Sequence, residues 1–203
     1  YDGMPNTPVA PAADDDGSGV ATVLEAARIL SQYDFEYTII YAIWDEEEQG
    51  LVGSNAYATR AQNNNDTIMG VINMDAIAWD GNNDSVVRIH VKPIADSESL
   101  GDSLFIMNER YDIGLNLIIN NPGATYSDHA SFWNKGFSAL LFIEDWDNDP
   151  NPQYHTVRDS VTYFNIPYYH KTSKLAIAAL SSLAIPYTNE LQIDQPEWKN
   201  SEI

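Results

Sequence analysis

Residues 37–44 read YTIIYAIW and run directly into Asp45, Glu46, Glu47 and Glu48. Nearly every position in the run is β-branched, aromatic or aliphatic, so neither face is polar enough to point at water. That pattern is expected of a strand covered on both sides, as in the parallel sheets of α/β proteins. Four carboxylates at the end of so apolar a strand are poorly explained as solubilising charge alone. Two adjacent carboxylates can divide labour, one binding a metal while its neighbour takes a proton from metal-bound water. A charged loop rim is the plainer alternative.

The segments around this run alternate in type, which implies an α/β domain. Residues 19–32 predict an amphipathic helix, with Val20, Val23, Leu24, Ala27 and Leu30 near 3.6 spacing and Asp16 or Ser18 available as cap. Further helices are expected over 51–61, 100–111 and 170–185, the last stopped by Pro186, and another begins over 127–134. Strands are expected over 69–74, 86–91, 115–119 and 139–143. Acids recur where strands end: 45–48, then Asp75, then Glu144 and Asp145. Ligand sites of open α/β sheets form outside the carboxyl ends of strands, so these acids are expected to meet in one crevice.

Ten basic against 30 acidic residues give a net charge of −20. Such a surface repels phosphates and argues against nucleic-acid partners. No run of about 18 apolar residues is present, so no membrane span is expected. The absence of cysteine excludes thiol catalysis and thiolate metal sites. Asn- and Asp-rich loops, with a first residue that is Tyr1 rather than Met, favour a secreted or periplasmic, processed protein.

Four further features carry candidate chemistry. Asp14-Asp15-Asp16 precedes a helix, whose N-terminus relieves part of their repulsion and a metal would relieve more. Asp75 closes a strand, and His155, in Asn151-Pro152-Gln153-Tyr154-His155-Thr156, is of the type that most often supplies neutral imidazole to zinc. Tyr126-Ser127-Asp128-His129 opens a helix. Its Ser, Asp and His are consecutive and cannot form a triad with one another, so capping and support of a neighbouring site are expected.

Taken in order, PAADDDGSGVATVLEAARIL, DEEEQGLVGS, VINMD, YSDHASFWNKGF and NPQYHTVRDS resemble the zinc-dependent exopeptidases that include bacterial leucyl aminopeptidases. Glutamate carboxypeptidase and glutaminyl cyclase are more distant relatives. The resemblance implies a three-layer α/β/α fold with a mixed, mostly parallel central sheet, in a catalytic domain over 1–188 followed by a polar tail over 189–203. It implies that Asp15 bridges two zinc ions, that Glu48 and His155 complete one site, that Asp75 serves the other, and that Glu47 is the general base. The substrates implied are peptides with a free N-terminus. In the family the second zinc also takes a His from a His-x-Asp motif. Here Tyr1-Asp2-Gly3 looks like the remainder of that motif, with Asp2 as the acid that orients the His, so an N-terminally truncated domain is expected, completed by an absent segment or an adjacent domain. Some aminopeptidases carry an oxyanion-stabilising Tyr where Ala124 and Thr125 stand, and Tyr126 is the available substitute. Two alternatives stay open: a single-zinc acyltransferase like glutaminyl cyclase, and a non-catalytic fragment or binding domain on the same fold.

Overall fold

The computed structural model describes residues 11–187. Along the chain lie α1 (Gly17–Leu30), α2 (Val52–Asn64), β1 (Val71–Met74), β2 (Val86–His90), α3 (Ser97–Arg110), β3 (Asn116–Asn120), α4 (His129–Trp133), β4 (Ala139–Glu144), a 3-10 turn (Val161–Tyr163) and α5 (Ile166–Ala184). The four strands form one mixed sheet in the order β1-β4-β2-β3. β1 pairs parallel to β4, β2 pairs parallel to β3, and β2 runs antiparallel to β4.

β4 is paired on both edges, and all six of its residues are buried. Its alternate side chains serve two different cores, because successive residues of a strand point to opposite faces. Leu140 and Phe142 join Val87, Ile89 and Val91 in a cluster with Leu104 of α3 and Leu175 of α5. On the other face Ala139 packs with Ala58 of α2 and with Phe132 and Trp133 of α4. The three-layer α/β/α arrangement follows from these two cores. Among the described residues no helix is long and apolar enough to cross a membrane.

Most element boundaries expected from sequence hold to within a few residues. α5 starts four residues earlier than expected, at Ile166, because Pro167 lies in its first turn, where a missing N–H costs nothing. The Asn165 side chain accepts the Tyr168 N–H there at 3.2 Å and caps the helix.

The one large correction concerns residues 37–44, expected to be a buried strand. They form no sheet ladder among the described residues, and Ile40 and Ile43 remain 63% and 54% exposed. Strand preference describes how a side chain fits a pleated, covered surface, and a ladder still needs a neighbouring edge at the right spacing. No described strand supplies one.

Candidate metal centre

Each member of the acidic triplet has a separate fate. Asp14 is buried and turned inward, accepting the Ala78 N–H at 2.9 Å and the Asn151 side-chain amide at 2.8 Å. Burial raises its carboxyl above the usual carboxylate range. Asp16 caps α1 by accepting the Gly19 N–H at 3.2 Å, and reaches the Ala76 N–H at 3.4 Å. Its carboxyl is pushed up strongly by burial and then by the charges of Asp75 and Asp15. Asp15 points the other way, towards the chain's second acidic cluster.

That second cluster sits on a tight turn. Glu47 O accepts the N–H groups of Gly50 and Leu51 at 3.0 and 2.8 Å, and Asp45 O accepts the Gly53 N–H at 3.0 Å. Gly50 has φ +105°, and a Cβ at Gly53 would stand 2.7 Å from the Asp45 carbonyl oxygen, so the turn needs glycine at both places. The turn brings Glu48 towards Asp15.

His155 completes the group. Its Nε2 lies 3.1 Å from Asp15 Oδ2 and in closer contact with Glu48 Oε1. Ligand atoms of Asp15, Glu48 and His155 all fall within 4.8 Å of one another. The imidazole is held by the Tyr154 ring, stacked on it at 3.6 Å between centroids and 21° between planes.

These residues fit a divalent ion. The His155 Nε2 atom is buried and has no hydrogen-bond partner although two carboxylate oxygens face it, as expected for ligands arranged around a common cation. One nitrogen and two carboxylates without sulfur are a donor set that zinc accepts.

Glu47 and Asp75 belong to the same neighbourhood. The Tyr154 hydroxyl is raised far above its ordinary value by burial first, then by the charges of Asp15, Glu48, Asp75 and Glu47. Asp75 stands outside the three-residue cluster, beside Asp16. Tyr126 is half exposed, lies edge-on to His90 at 5.9 Å, and is pushed up to about 12 by burial and then by Asp75. Ser127 accepts the Asn73 side-chain amide at 2.8 Å and so ties its loop to the end of β1, one residue from Met74 and two from Asp75. Asp128 does not cap α4 through its side chain, contrary to expectation. Asp2 and the tail over 189–203 lie outside the described residues.

The crevice expected to gather all strand-end acids gathers only some of them. Glu144 is wholly buried beside Asp14, and burial followed by the Asp14 charge pushes its carboxyl well above the usual range. Asp145 turns to Arg88 at 2.6 Å. Sequence reasoning assigned no role to Asp159, whose carboxylate accepts the backbone N–H groups of Asp14 and Asp15 at 3.0–3.2 Å. Its position four residues beyond His155 was the available signal.

The chain is similar to known proteins in sequence and in fold. Leucine aminopeptidase 1 of Paracoccidioides brasiliensis (strain Pb18) is 30% identical over 189 residues, covering 89% of this chain and 49% of that protein. The crystal structure of the LapA aminopeptidase of Legionella pneumophila superposes with a TM-score of 0.76 at 29% identity, over 86% of this chain and 47% of that one. BSAP, a zinc aminopeptidase from Bacillus subtilis, shares the fold with a TM-score of 0.77 at 22% identity, over 90% of this chain and 45% of that one. The chain thus spans about half the length of the relatives it matches. The model of peptidase family M28 matches residues 1–180, and the chain belongs to that family.

Proposed function

We propose that the protein containing this chain is a zinc aminopeptidase that removes the N-terminal residue of peptides. The observation that carries the reading is the convergence of Asp15, Glu48 and His155 on one point, with Glu47 adjacent in sequence and in the same electrostatic neighbourhood. The aminopeptidase names of the fungal and Legionella relatives support it.

In this reading Asp15, Glu48 and His155 hold one zinc, and Asp15 and Asp75 contribute to a second. When bound, the ions would polarise the scissile carbonyl and make the attacking water more acidic. Glu47 accepts the proton of the attacking water and returns it to the departing amine as the C–N bond breaks. The local surplus of carboxylates around Asp75 attracts the substrate's terminal ammonium, which favours cleavage at a free N-terminus. Tyr154 fixes the plane of the His155 ring, and Tyr126, in the electrostatic neighbourhood of Asp75, is the hydroxyl available to the developing oxyanion.

The test uses the full-length protein with leucine p-nitroanilide, its N-acetylated form, and an N-terminal glutamine peptide. The expected result is hydrolysis of the first substrate alone among the two anilides, with about two zinc ions per chain. Cyclisation of the glutamine peptide without anilide hydrolysis would assign the site to an acyltransferase instead. A metal-free, inactive full-length protein would remove the catalytic reading altogether.

A further inference from the structure

β2 runs antiparallel to β4 with Val87 opposite Glu144, so Arg88 stands beside the point where β4 ends. Its buried guanidinium takes hold of the turn that follows. Nε lies 2.6 Å from Asp145 Oδ1, and Nη1 lies 2.6 Å from Asp147 Oδ2. Asp145 Oδ1 also accepts the N–H groups of Asp147 and Asn148, each at 3.3 Å, and its backbone oxygen accepts the Asp149 N–H at 2.9 Å. Trp146 is the residue between the two clamped aspartates, and its own N–H donates to the Glu144 oxygen at 2.9 Å. Both neighbours of Trp146 are fixed, and the direction in which its side chain leaves the backbone is fixed with them.

That direction leads to the metal centre. The Trp146 ring packs edge-on with Tyr154 at 4.4 Å between centroids and 76° between planes, an arrangement that aromatic pairs prefer. Tyr154 in turn lies nearly flat on His155, at 3.6 Å and 21°. A metal-binding histidine is usually oriented by a hydrogen bond from the ring nitrogen that faces away from the ion. Among the described residues His155 has no such hydrogen bond, and the ring contact with Tyr154 takes its place. His155 also has φ +56°, in the left-handed region where a residue with a side chain persists only if its surroundings hold it.

We propose that Trp146 is a positioning residue of the metal centre: fixed by Arg88 through Asp145 and Asp147, it braces Tyr154, whose ring keeps His155 Nε2 aimed at Asp15 and Glu48. The inference rests on the reading of Asp15, Glu48 and His155 as a zinc site, and adds the part of the fold that sets the direction of the imidazole. Without the Trp146 ring, Tyr154 is free to tilt and the imidazole tilts with it, so the ligand geometry loosens while all three ligands stay in place. The brace needs only an aromatic ring. The indole N–H has no part in it, since Trp146 Nε1 is buried without a partner. Phenylalanine can therefore take its place, and leucine cannot.

Chelator competition on the full-length protein measures zinc affinity in Trp146→Phe, Trp146→Leu, Tyr154→Leu and the variant carrying both leucines. The expected result is wild-type affinity in Trp146→Phe and roughly 10-fold weaker binding of one zinc per chain in Trp146→Leu, as for other residues that orient a ligand. The double variant should bind zinc no more weakly than Tyr154→Leu, because Trp146 acts only through Tyr154. Urea unfolding in excess chelator separates this from a packing role, since a chain that is still folded keeps its affinity however narrowly it is folded. Unchanged affinity in Trp146→Leu, whatever its unfolding midpoint, overturns the proposal, and additive losses in the double variant overturn it too. If Trp146→Leu does not fold, Asp147→Ala replaces it, releasing the clamp at a carboxylate that is 57% exposed, and wild-type affinity there is the overturning result. A wild type that holds no zinc removes the zinc reading and this inference together. The expected order of affinities without anilide hydrolysis sinks the aminopeptidase reading and still supports the role of Trp146.

Discussion

Asp159 Oδ2 accepts the backbone N–H of Asp15 at 3.1 Å, so the turn that carries His155 also holds the loop that carries Asp15. The two sit 140 residues apart in sequence (155 − 15) yet face one another across the candidate metal centre. A carboxylate that accepts backbone N–H groups from Asp14 and Asp15 sets where the Asp15 side chain starts. Replacing Asp159 by Ala is expected to weaken zinc affinity by roughly 10- to 100-fold, the usual effect of losing a residue that orients a ligand. Chelator competition measures it. Asp159→Asn, which keeps one acceptor oxygen, should fall between the wild type and Ala. Equal affinity in all three would show that Asp15 is placed by other contacts.

Glu47→Gln keeps the size of the side chain and removes its ability to take a proton. Loss of a general base of this kind costs roughly 100- to 10,000-fold in kcat. In the full-length protein, zinc content should be unchanged, since Glu48 and not Glu47 lies in the metal-ligating cluster. Loss of metal and activity together would make Glu47 a ligand rather than the base.

Arg88 is buried and paired with Asp145 and Asp147, each at 2.6 Å. Arg88→Ala leaves Asp145 buried without its cation, which should destabilise the fold by roughly 3–5 kcal/mol. Urea unfolding of residues 1–203 reads this directly. A loss below about 1 kcal/mol would mean that water reaches Asp145 once the arginine is gone.

His129 is fully buried, with Nε2–H donating to the Ala124 carbonyl at 2.8 Å and Trp133 edge-on at 4.4 Å. Burial pushes its pKa from 6.5 down to about 4. Between those values the unfolded imidazole binds a proton that the folded one refuses. Stability linked to His129 is therefore complete above about pH 6.5 and is lost as the pH falls towards 4, by roughly 2 kcal/mol at pH 5. His129→Gln should remove this part of the acid sensitivity, measured as the difference in unfolding free energy between pH 7 and pH 5. An unaltered pH slope in the variant would place the acid sensitivity elsewhere.

Local pattern was enough for those elements whose signal is carried by their own residues. The helical spacing of Val20, Val23, Leu24, Ala27 and Leu30 and the cap offered by Asp16 locate α1, but its buried face runs through Ser18, Thr22, Ala26 and Leu30, and Leu24 stays exposed. The continuous apolar run of β4 likewise needs only to be covered on both faces, and it is. The members of the candidate metal group were visible too, because Asp15, Glu48 and His155 sit in short acidic or histidine-bearing motifs at element ends.

Partnership was decided by the tertiary structure. Asp14, Asp15 and Asp16 are chemically identical and adjacent, yet one is buried on Asn151, one faces the metal centre and one caps a helix. Direction along a turn determines that, and composition is blind to it. Glu144 and Asp145 are expected from sequence to join the other strand-end acids in one crevice, but β4 directs the first into the interior beside Asp14, and Arg88 claims the second. Residues 37–44 mark the same boundary from the other side. Their sequence establishes a strand-forming strip, but a strand exists only when an edge at the right spacing accepts its hydrogen bonds, and no described strand pairs with them.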